Sequence, residues 1–305
     1  MSHAKAPRKK TAPKVTRAKA AASAPAPTTR GRTRVAPFVA KKLRALDVEL
    51  GAALPRVIAS SDDEAIHDLR VAIRRLRTLL KLSRPVYGRF HADAVRRAFT
   101  EIQSATGDLR DEEVLEETLD ELPMEDEGFV AWKARRKSRE RNLRRAVVQR
   151  LRAGDLTRAR AMLRGLLALP VKPARNKDLA RFARKCVERA RVRVDAQRDV
   201  DPSDVVGMHE LRIAFKELRY SAELLCEALP LDLRVLSEPA AKFQKRLGEV
   251  HDVDMALVTA RRARGLNVHV RAASIELLEK LRDKKVAKYV AEMVPAPEIS
   301  EAQLS

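Results

Sequence analysis

One helical segment occurs twice in this chain of 305 residues. Residues 66–77 read Ile-His-Asp-Leu-Arg-Val-Ala-Ile-Arg-Arg-Leu-Arg, and residues 208–219 read Met-His-Glu-Leu-Arg-Ile-Ala-Phe-Lys-Glu-Leu-Arg. A second set of matching residues follows each copy at nearly the same distance, and it comprises Gln103, Gly107, Asp108 and Asp111 in the first half and Gln244, Gly248, Glu249 and Asp252 in the second. Repetition of a long pattern at matched spacing indicates an internal duplication, so the fold must accommodate two similar halves.

Each copy of the repeat places basic side chains on one face of a predicted helix. At about 100° per residue, positions 0, 3, 7 and 10 of the repeat lie within about 80° of one another. These positions are His67, Arg70, Arg74 and Arg77 in the first copy, and His209, Arg212, Lys216 and Arg219 in the second. The first of these faces carries no acid, although exposed helices usually mix both signs of charge. We therefore expect a polyanion to contact this face.

The chain is predicted to be all-α, as two internally duplicated helical bundles related by pseudo-two-fold symmetry. Aromatic residues make up only 4% of the sequence, whereas Ala, Leu and Arg, which favour helices, are abundant. An apolar stripe beside the first basic face would anchor that helix in a bundle, and it consists of Leu69, Ile73, Leu76 and Leu80. No segment shows the convincing period-2 alternation that is typical of strands.

The pattern predicts helices over residues 38–58, 61–84, 86–105, 108–121, 126–152 and 155–169 in the first half, and over 175–199, 203–229, 232–247, 249–264 and 270–291 in the second. Ser61 and Asp201 are predicted to start the two repeated helices as caps. Gly107 and Gly248 are predicted to end helices, and Asp111 and Asp252 to cap the helices that follow.

Three regions are predicted along the chain. Residues 1–36 form a disordered basic tail rich in Lys, Ala and Pro. A helical domain spans residues 37–291, with repeat one at about 37–170 and repeat two at about 175–291, and residues 292–305 form a C-terminal tail. The net charge is +21, and within the domain an acidic stretch, 108–127, precedes a basic one, 128–198. This polarised distribution of charge favours an anionic partner.

Several classes of protein are excluded or disfavoured by the sequence. No apolar run reaches the roughly 20 residues of a membrane span, and the N-terminus lacks the apolar core of a secretory signal, so we expect a cytoplasmic protein. Cys186 and Cys226 have no CxxC spacing, so neither a disulfide framework nor a zinc site is predicted. No phosphate loop, Ser/His/Asp set or nucleotide fingerprint is present, and we expect no catalysis and no cofactor.

Two features of the sequence allow a metal-binding interpretation as well as a structural one. Glu64 and His67 have the Glu-x-x-His spacing of di-iron bundles, but the second copy has Val206 at the glutamate position. The acidic run from Asp111 to Asp120 could chelate Mg²⁺, although such a run is usually a solvated face or a partner for a basic segment. We therefore predict no metal site.

The two His-x-x-Arg-x-x-x-Arg/Lys-x-x-Arg helices and the two Gly-x-x-x-Asp segments, 107–111 and 248–252, resemble the CHAD family, the conserved histidine α-helical domain. The resemblance covers roughly residues 38–291. It implies an all-helical, duplicated domain that binds inorganic polyphosphate in a basic central channel or groove. Some members of the family associate with cytoplasmic polyphosphate or polyester granules, or are fused to a triphosphatase domain.

The sequence departs from this family pattern in three ways. Arg75 and Lys81 of the first copy correspond to Glu217 and Glu223 in the second, so the second half is less basic. The fused triphosphatase module is a β-barrel, and nothing in this sequence is typical of strands. The basic tail lies outside the family pattern.

The predicted function is non-catalytic binding of polyphosphate, because Arg and Lys side chains suit a ligand that offers only anionic oxygen acceptors. The predicted contacts are His67, Arg70, Arg74, Arg75, Arg77, Lys81, His209, Arg212, Lys216, Arg219, Lys242, Lys245 and Arg246. For Lys242, Lys245, Arg246 and the basic run 133–145, a solvated face fits the pattern as well as a ligand contact does. Two alternatives stay open. The basic tail could bind DNA or RNA through non-specific phosphate contacts, or the chain could be a scaffold on a storage-granule surface. The low aromatic content argues modestly against single-stranded nucleic acid.

Overall fold

The structure, a computed structural model, describes residues 34–59, 64–171 and 177–293. Within these ranges the chain is helical apart from short connections, and its single β-type pairing joins Arg34 and Asp178. The predicted all-α class is confirmed, whereas the pseudo-two-fold relation between the halves stays a prediction. Most of the predicted tail, residues 1–33, lies outside the described residues, as do Ser61 and residues 294–305.

Twelve α-helices and one 3₁₀ turn, Cys226–Ala228, make up the described part of the chain. The helices are α1 (Val35–Ala59), α2 (Glu64–Leu82), α3 (Arg84–Tyr87), α4 (Arg89–Ala105), α5 (Gly107–Asp120), α6 (Glu127–Arg152), α7 (Asp155–Ala168), α8 (Leu179–Asp195), α9 (Val205–Leu225), α10 (Leu231–Arg234), α11 (Ser237–Arg261) and α12 (Val268–Met293). Helix α1 thus begins two residues before the predicted boundary of the domain, and α12 extends two residues beyond it. None of these helices is both long and apolar enough to cross a membrane.

The two repeated helices, α2 and α9, lie at the centre of the main hydrophobic core. The predicted apolar stripe of α2 is fully buried, with Leu69, Ile73 and Leu76 all at 0% exposure. Leu211 and Ala214 of α9 are equally buried, and the two helices contact each other. Burial of each large aliphatic side chain contributes about 1.5–3 kcal/mol. The core therefore fixes one side of each repeated helix and leaves the basic side to face α4, α5 and α11.

A second, smaller core joins α5, α6, α11 and α12. Leu119 of α5, Phe129 and Trp132 of α6, Val253 of α11 and Leu278 of α12 are buried together in it. The packing holds α5 against both α6 and α11. The side chains of these three helices are thereby brought to the basic faces of α2 and α9.

Ion pairs join the acidic helix α5 to the basic helix α6. Glu112, which is buried, accepts from Arg136 and from Arg139, and further pairs are Asp120–Lys133, Glu116–Lys137 and Glu113–Arg144. The acidic run is thus the partner of the basic segment, which was one of the interpretations that the sequence allowed. No group of three His, Cys, Asp or Glu side chains with metal-binding geometry occurs among the described residues.

Three local predictions about helix ends were wrong. Helix α11 continues through Gly248, because packing of Leu247 and Val250 in the core offsets the roughly 1 kcal/mol that an interior glycine costs. Gly107 begins α5 instead of ending α4. Asp111 and Asp252 lie inside α5 and α11 and cap neither helix.

The cap of the second repeated helix is also different from the predicted one. Asp204 caps α9, since its carboxylate accepts from the backbone N–H groups of Val206 (3.1 Å) and Gly207 (3.0 Å). Asp201 instead accepts from the backbone N–H of Ser203 at 2.7 Å, within the turn before the helix. An aspartate two residues after a proline was the better acceptor because it directly precedes the first helical residue.

Candidate functional site

A cavity of about 490 Å³ lies where the basic faces of α2 and α9 meet α4, α5, α6 and α11. We call it the inner cavity. Among the described residues that line it, seven are Lys or Arg and three are Asp or Glu. Its polar lining comprises His67, Arg70, Arg74, Arg77, Gln103, Ser104, Arg110, Asp111, Glu112, Arg136, Arg212, Lys216, Gln244, His251, Asp252 and Thr259. All four residues of the first predicted basic face, and Arg212 and Lys216 of the second, therefore line one cavity.

Five cations from the two repeated helices form no ion pair within the described chain, and they are Arg70, Arg74, Arg77, Arg212 and Lys216. Some of their N–H groups have neutral partners. Arg70 donates to the hydroxyl of Thr106 and to the carbonyl of Gln103, and Arg74 donates to the hydroxyl of Tyr220 at 3.1 Å. Neutral partners satisfy hydrogen bonds but leave the charges uncompensated.

Several buried polar atoms of the cavity lack a hydrogen-bond partner in the described structure. They include the Nε atoms of Arg77 and Arg212 and the Oε1 atoms of Gln103 and Gln244. A buried polar group without a partner costs about 1–3 kcal/mol, and such groups are rare in folded proteins. The two Nε atoms are donors that an acceptor-rich ligand would satisfy, whereas the two Oε1 atoms are acceptors and point to no anion.

Burial and mutual repulsion disfavour the charges of these cations. Burial is the main cause that lowers the pKa of Lys216 to about 8, and four neighbouring arginines, Arg74, Arg212, Arg77 and Arg70, add to it. Burial and Arg74 lower the pKa of Arg70 to about 10. The pKa values of Arg77 and Arg212 are lowered mainly by burial. The cations are thus held close together at an electrostatic cost that a bound anion would reverse.

Two carboxylates and a histidine complete the electrostatics of the inner cavity. Burial raises the pKa of Asp252 to about 6, although Arg212 acts in the opposite direction. Burial also raises the pKa of Asp111, opposed by Arg70. The pKa of His251 is lowered to about 4 by burial and by Arg212 and His209. At neutral pH Asp252 is therefore charged but weakly stabilised, and His251 is neutral.

Four pairs of residues that match between the two repeats line this one cavity. The pairs are Arg70 with Arg212, Arg74 with Lys216, Gln103 with Gln244, and Asp111 with Asp252. The matched histidines differ. His67 lines the cavity, whereas the ring of His209 packs against that of His251 with centroids 4.7 Å apart, and its Nδ1 is buried without a partner among the described residues. Both halves of the chain thus contribute to a single site.

A wider groove of about 1540 Å³ continues from the inner cavity, and we call it the outer groove. The two spaces share His67, Arg110, Arg212, Gln244 and Asp252 as lining residues. Three further predicted contacts, Arg219, Lys242 and Lys245, line the outer groove. Its lining has mixed charge, with six Lys or Arg and five Asp or Glu among the described residues. A linear ligand could extend from the groove into the more basic inner cavity.

Comparison with known proteins identifies the family. The family model of the CHAD domain matches residues 40–261. The chain belongs to the CHAD family. Its fold is similar to the crystal structure of the CHAD domain from the plant Ricinus communis, with 22% identity, a TM-score of 0.63, and coverage of 87% of this chain and 89% of that one.

A second solved structure, PptA from Streptomyces chartreusis, has 20% identity and a TM-score of 0.65, with coverage of 86% of this chain and 98% of that one. At these levels of identity, the two structures support the fold alone. A search of curated proteins found no match.

Four of the predicted contacts of this CHAD domain line neither the inner cavity nor the outer groove, and they are Arg75, Lys81, His209 and Arg246. Lys81 pairs with Glu217 at 2.6 Å, and Arg246 pairs with Glu292 at 2.9 Å and with Glu249 at 3.0 Å. Glu217 and Glu223, the two acids at which the second copy departs from the first, each pair with a predicted contact. Glu217 neutralises Lys81, and Glu223 accepts from Arg219 at 2.7 Å.

Other lining residues of the CHAD domain were not predicted from the sequence. Arg110 of α5 and Arg136 of α6 lie outside the repeated segment, yet both line the inner cavity. A signal for Arg110 existed, because it is the one base in the acidic stretch 108–127. Arg136 belongs to a run of basic residues, so the pattern alone could not distinguish it from its solvated neighbours.

Proposed function

We propose that this CHAD domain binds inorganic polyphosphate in the inner cavity and outer groove, and that it does so without catalysing a reaction. One observation carries the proposal: five cations of α2 and α9 share an enclosed cavity in which none of them has an ion-pair partner among the described residues. Polyphosphate supplies about one negative charge per unit and only oxygen acceptors, which match guanidinium and ammonium donors. Phosphate oxygens would also accept from the open Nε atoms of Arg77 and Arg212.

The shape of the site favours a thin, flexible polyanion over a nucleic acid. A duplex presents its phosphates on a convex surface, and its major groove alone is about 12 Å wide, so it could not enter a space of about 490 Å³. Proteins that bind single strands commonly stack the bases on aromatic side chains, and no Phe, Tyr or Trp is among the described lining residues of the inner cavity.

Binding to nucleic acid through the tail and association with storage granules remain separate predictions. The tail, residues 1–36, lies almost wholly outside the described residues. Its contribution can be isolated experimentally by comparing the full chain with a chain that lacks residues 1–33. Retained polyphosphate binding with reduced DNA binding would assign the two ligands to the domain and the tail respectively.

The test of the proposed function is a titration of the protein with long-chain polyphosphate, and with duplex DNA at equal charge concentration, at near-physiological salt. Arg74→Glu combined with Lys216→Glu should abolish polyphosphate binding. The matched control is Lys284→Glu with Lys288→Glu, which makes the same change in net charge on the exposed side of α12, away from the cavities described above. The control should retain polyphosphate binding.

A neutral pair, Arg74→Gln with Lys216→Met, guards against misfolding, because it removes crowded charge without adding an acid. It should weaken binding by at least about tenfold, which corresponds to roughly 1.4 kcal/mol. Helical content measured by circular dichroism should be unchanged in all variants. Undiminished affinity in both cavity variants, or equal loss in the control, would overturn the assignment of the site.

A further inference from the structure

A second basic cavity of about 570 Å³ adjoins the inner cavity. It shares no lining residue with the outer groove. We call it the arginine vestibule, and its five guanidinium groups belong to Arg135, Arg136, Arg139, Arg262 and Arg264. It shares Arg136, Met255 and Thr259 with the inner cavity. No acidic side chain occurs among its described lining residues. The two spaces therefore adjoin each other, and Arg136 lies at their junction.

Few acceptors are available to the arginines of the vestibule. Buried Glu112 receives hydrogen bonds from both Arg136 and Arg139, and Arg135 donates to the carbonyl of Gly265 at 3.0 Å. Within the described chain, Arg262 and Arg264 form no ion pair. One carboxylate thus pairs with two of the five guanidinium groups.

One arginine of the vestibule has a donor without a partner. The Nε atom of Arg136 is buried and has no hydrogen-bond partner among the described residues. Because an unpaired buried donor carries the full penalty of its desolvation, an acceptor at this position would be stabilising. The Nε atoms of Arg77 and Arg212 in the inner cavity also lack a partner among the described residues, so both spaces contain unsatisfied donors.

Helix α11 runs past all three spaces, and residues along it line each of them in turn. Lys245 lines the outer groove, Asp252 lines both the groove and the inner cavity, and Thr259 and Arg262 line the vestibule. With a rise of about 1.5 Å per residue, Lys245 and Arg262 are about 26 Å apart along the helix axis. A linear anion that follows α11 would meet cations in all three spaces, whereas a short one could occupy only a part of the path.

We propose that the arginine vestibule is a second phosphate-binding subsite, which holds the part of a polyphosphate chain that extends beyond the inner cavity. This inference rests on the proposed function. Its consequence is that affinity depends on chain length: long chains engage the inner cavity and the vestibule together, and tripolyphosphate engages the inner cavity alone.

The experiment compares tripolyphosphate with long-chain polyphosphate by isothermal titration calorimetry on the full chain. Arg262→Glu with Arg264→Glu should weaken binding of the long chain on the order of tenfold, because two exposed cationic contacts are lost. Binding of tripolyphosphate should change no more than in the control, Lys284→Glu with Lys288→Glu. Arg262 and Arg264 are exposed, so the variant should keep the fold, and circular dichroism checks this.

The outcomes separate this inference from the proposed function. If the wild-type protein binds neither ligand, or if Arg74→Glu with Lys216→Glu leaves both affinities intact, the proposed function fails. If the wild type binds polyphosphate in the inner cavity but the vestibule variant weakens both ligands equally, or neither, the function stands and the vestibule is not a subsite. Selective loss of the long chain supports the vestibule.

Discussion

Replacement of Lys216 by methionine should stabilise the folded protein while weakening its affinity for polyphosphate. The ammonium group of Lys216 lies in the inner cavity beside four arginines, and burial is the largest cause of its lowered pKa. Because one pKa unit corresponds to about 1.36 kcal/mol, a drop from 10.5 to about 8 means that the charged group destabilises the ligand-free fold by about 3 kcal/mol at neutral pH. Methionine has a similar length and removes this charge.

The free energy of unfolding, measured by urea denaturation at pH 7 without polyanions, should rise by about 1–3 kcal/mol in Lys216→Met. The gain should shrink as the pH rises from about 8 towards 10.5. In this window the folded wild type releases the proton of Lys216 while the unfolded chain still holds it, so the stability of the wild type increases with pH. Added polyphosphate should stabilise the wild type more than the variant, since a ligand stabilises the state that binds it.

The control for this prediction is Lys284→Met, which removes an exposed lysine of α12. Surface substitutions of this kind usually change stability by less than about 0.5 kcal/mol. The reasoning would be refuted if Lys216→Met were no more stable than the wild type at pH 7. It would equally be refuted by a gain in stability that did not vary between pH 7 and 10.

Two further predictions concern α11. Asp252 has a pKa of about 6, so it takes up a proton as the pH falls from 7 to 5, and polyphosphate should bind more tightly. In the same titrations, Asp252→Asn should lose this part of the pH dependence. An unchanged pH profile in the variant would exclude Asp252 as its cause. Gly248→Ala should raise the free energy of unfolding by roughly 0.5–1 kcal/mol, as expected for a glycine inside a helix, since the added Cβ would lie an ordinary 3.6 Å from Nε of Arg212. A lower stability in thermal denaturation would show that the position requires glycine.

The helices and the central site residues could be predicted because their signals are local. The 3.6-residue period assigned Leu69, Ile73 and Leu76 to the core side of α2 and placed Arg70 and Arg74 on the other side, where the structure has them. The duplication then extended the argument to α9. These conclusions needed no knowledge of how distant parts of the chain meet.

The remaining features depend on tertiary contacts that no local pattern contains. Gly248 was expected to end a helix because glycine is common at helix ends, but the packing of α11 against α9 and α12 decided otherwise. Lys81 and Arg246 shared the basic character of the site residues, yet their acid partners Glu217 and Glu292 are 136 and 46 residues away in sequence. Arg110 reaches the cavity because α5 packs on α11.

The buried stripe of α2 has a consequence for the thermodynamics of association. Since Leu69, Ile73 and Leu76 are fully enclosed, the backbone that carries Arg70, Arg74 and Arg77 is rigid before any ligand arrives. Preorganised binding groups lose little conformational freedom when a complex forms. The entropy lost on association then comes mainly from the polymer, which exchanges many disordered conformations in water for the one path that the helices define.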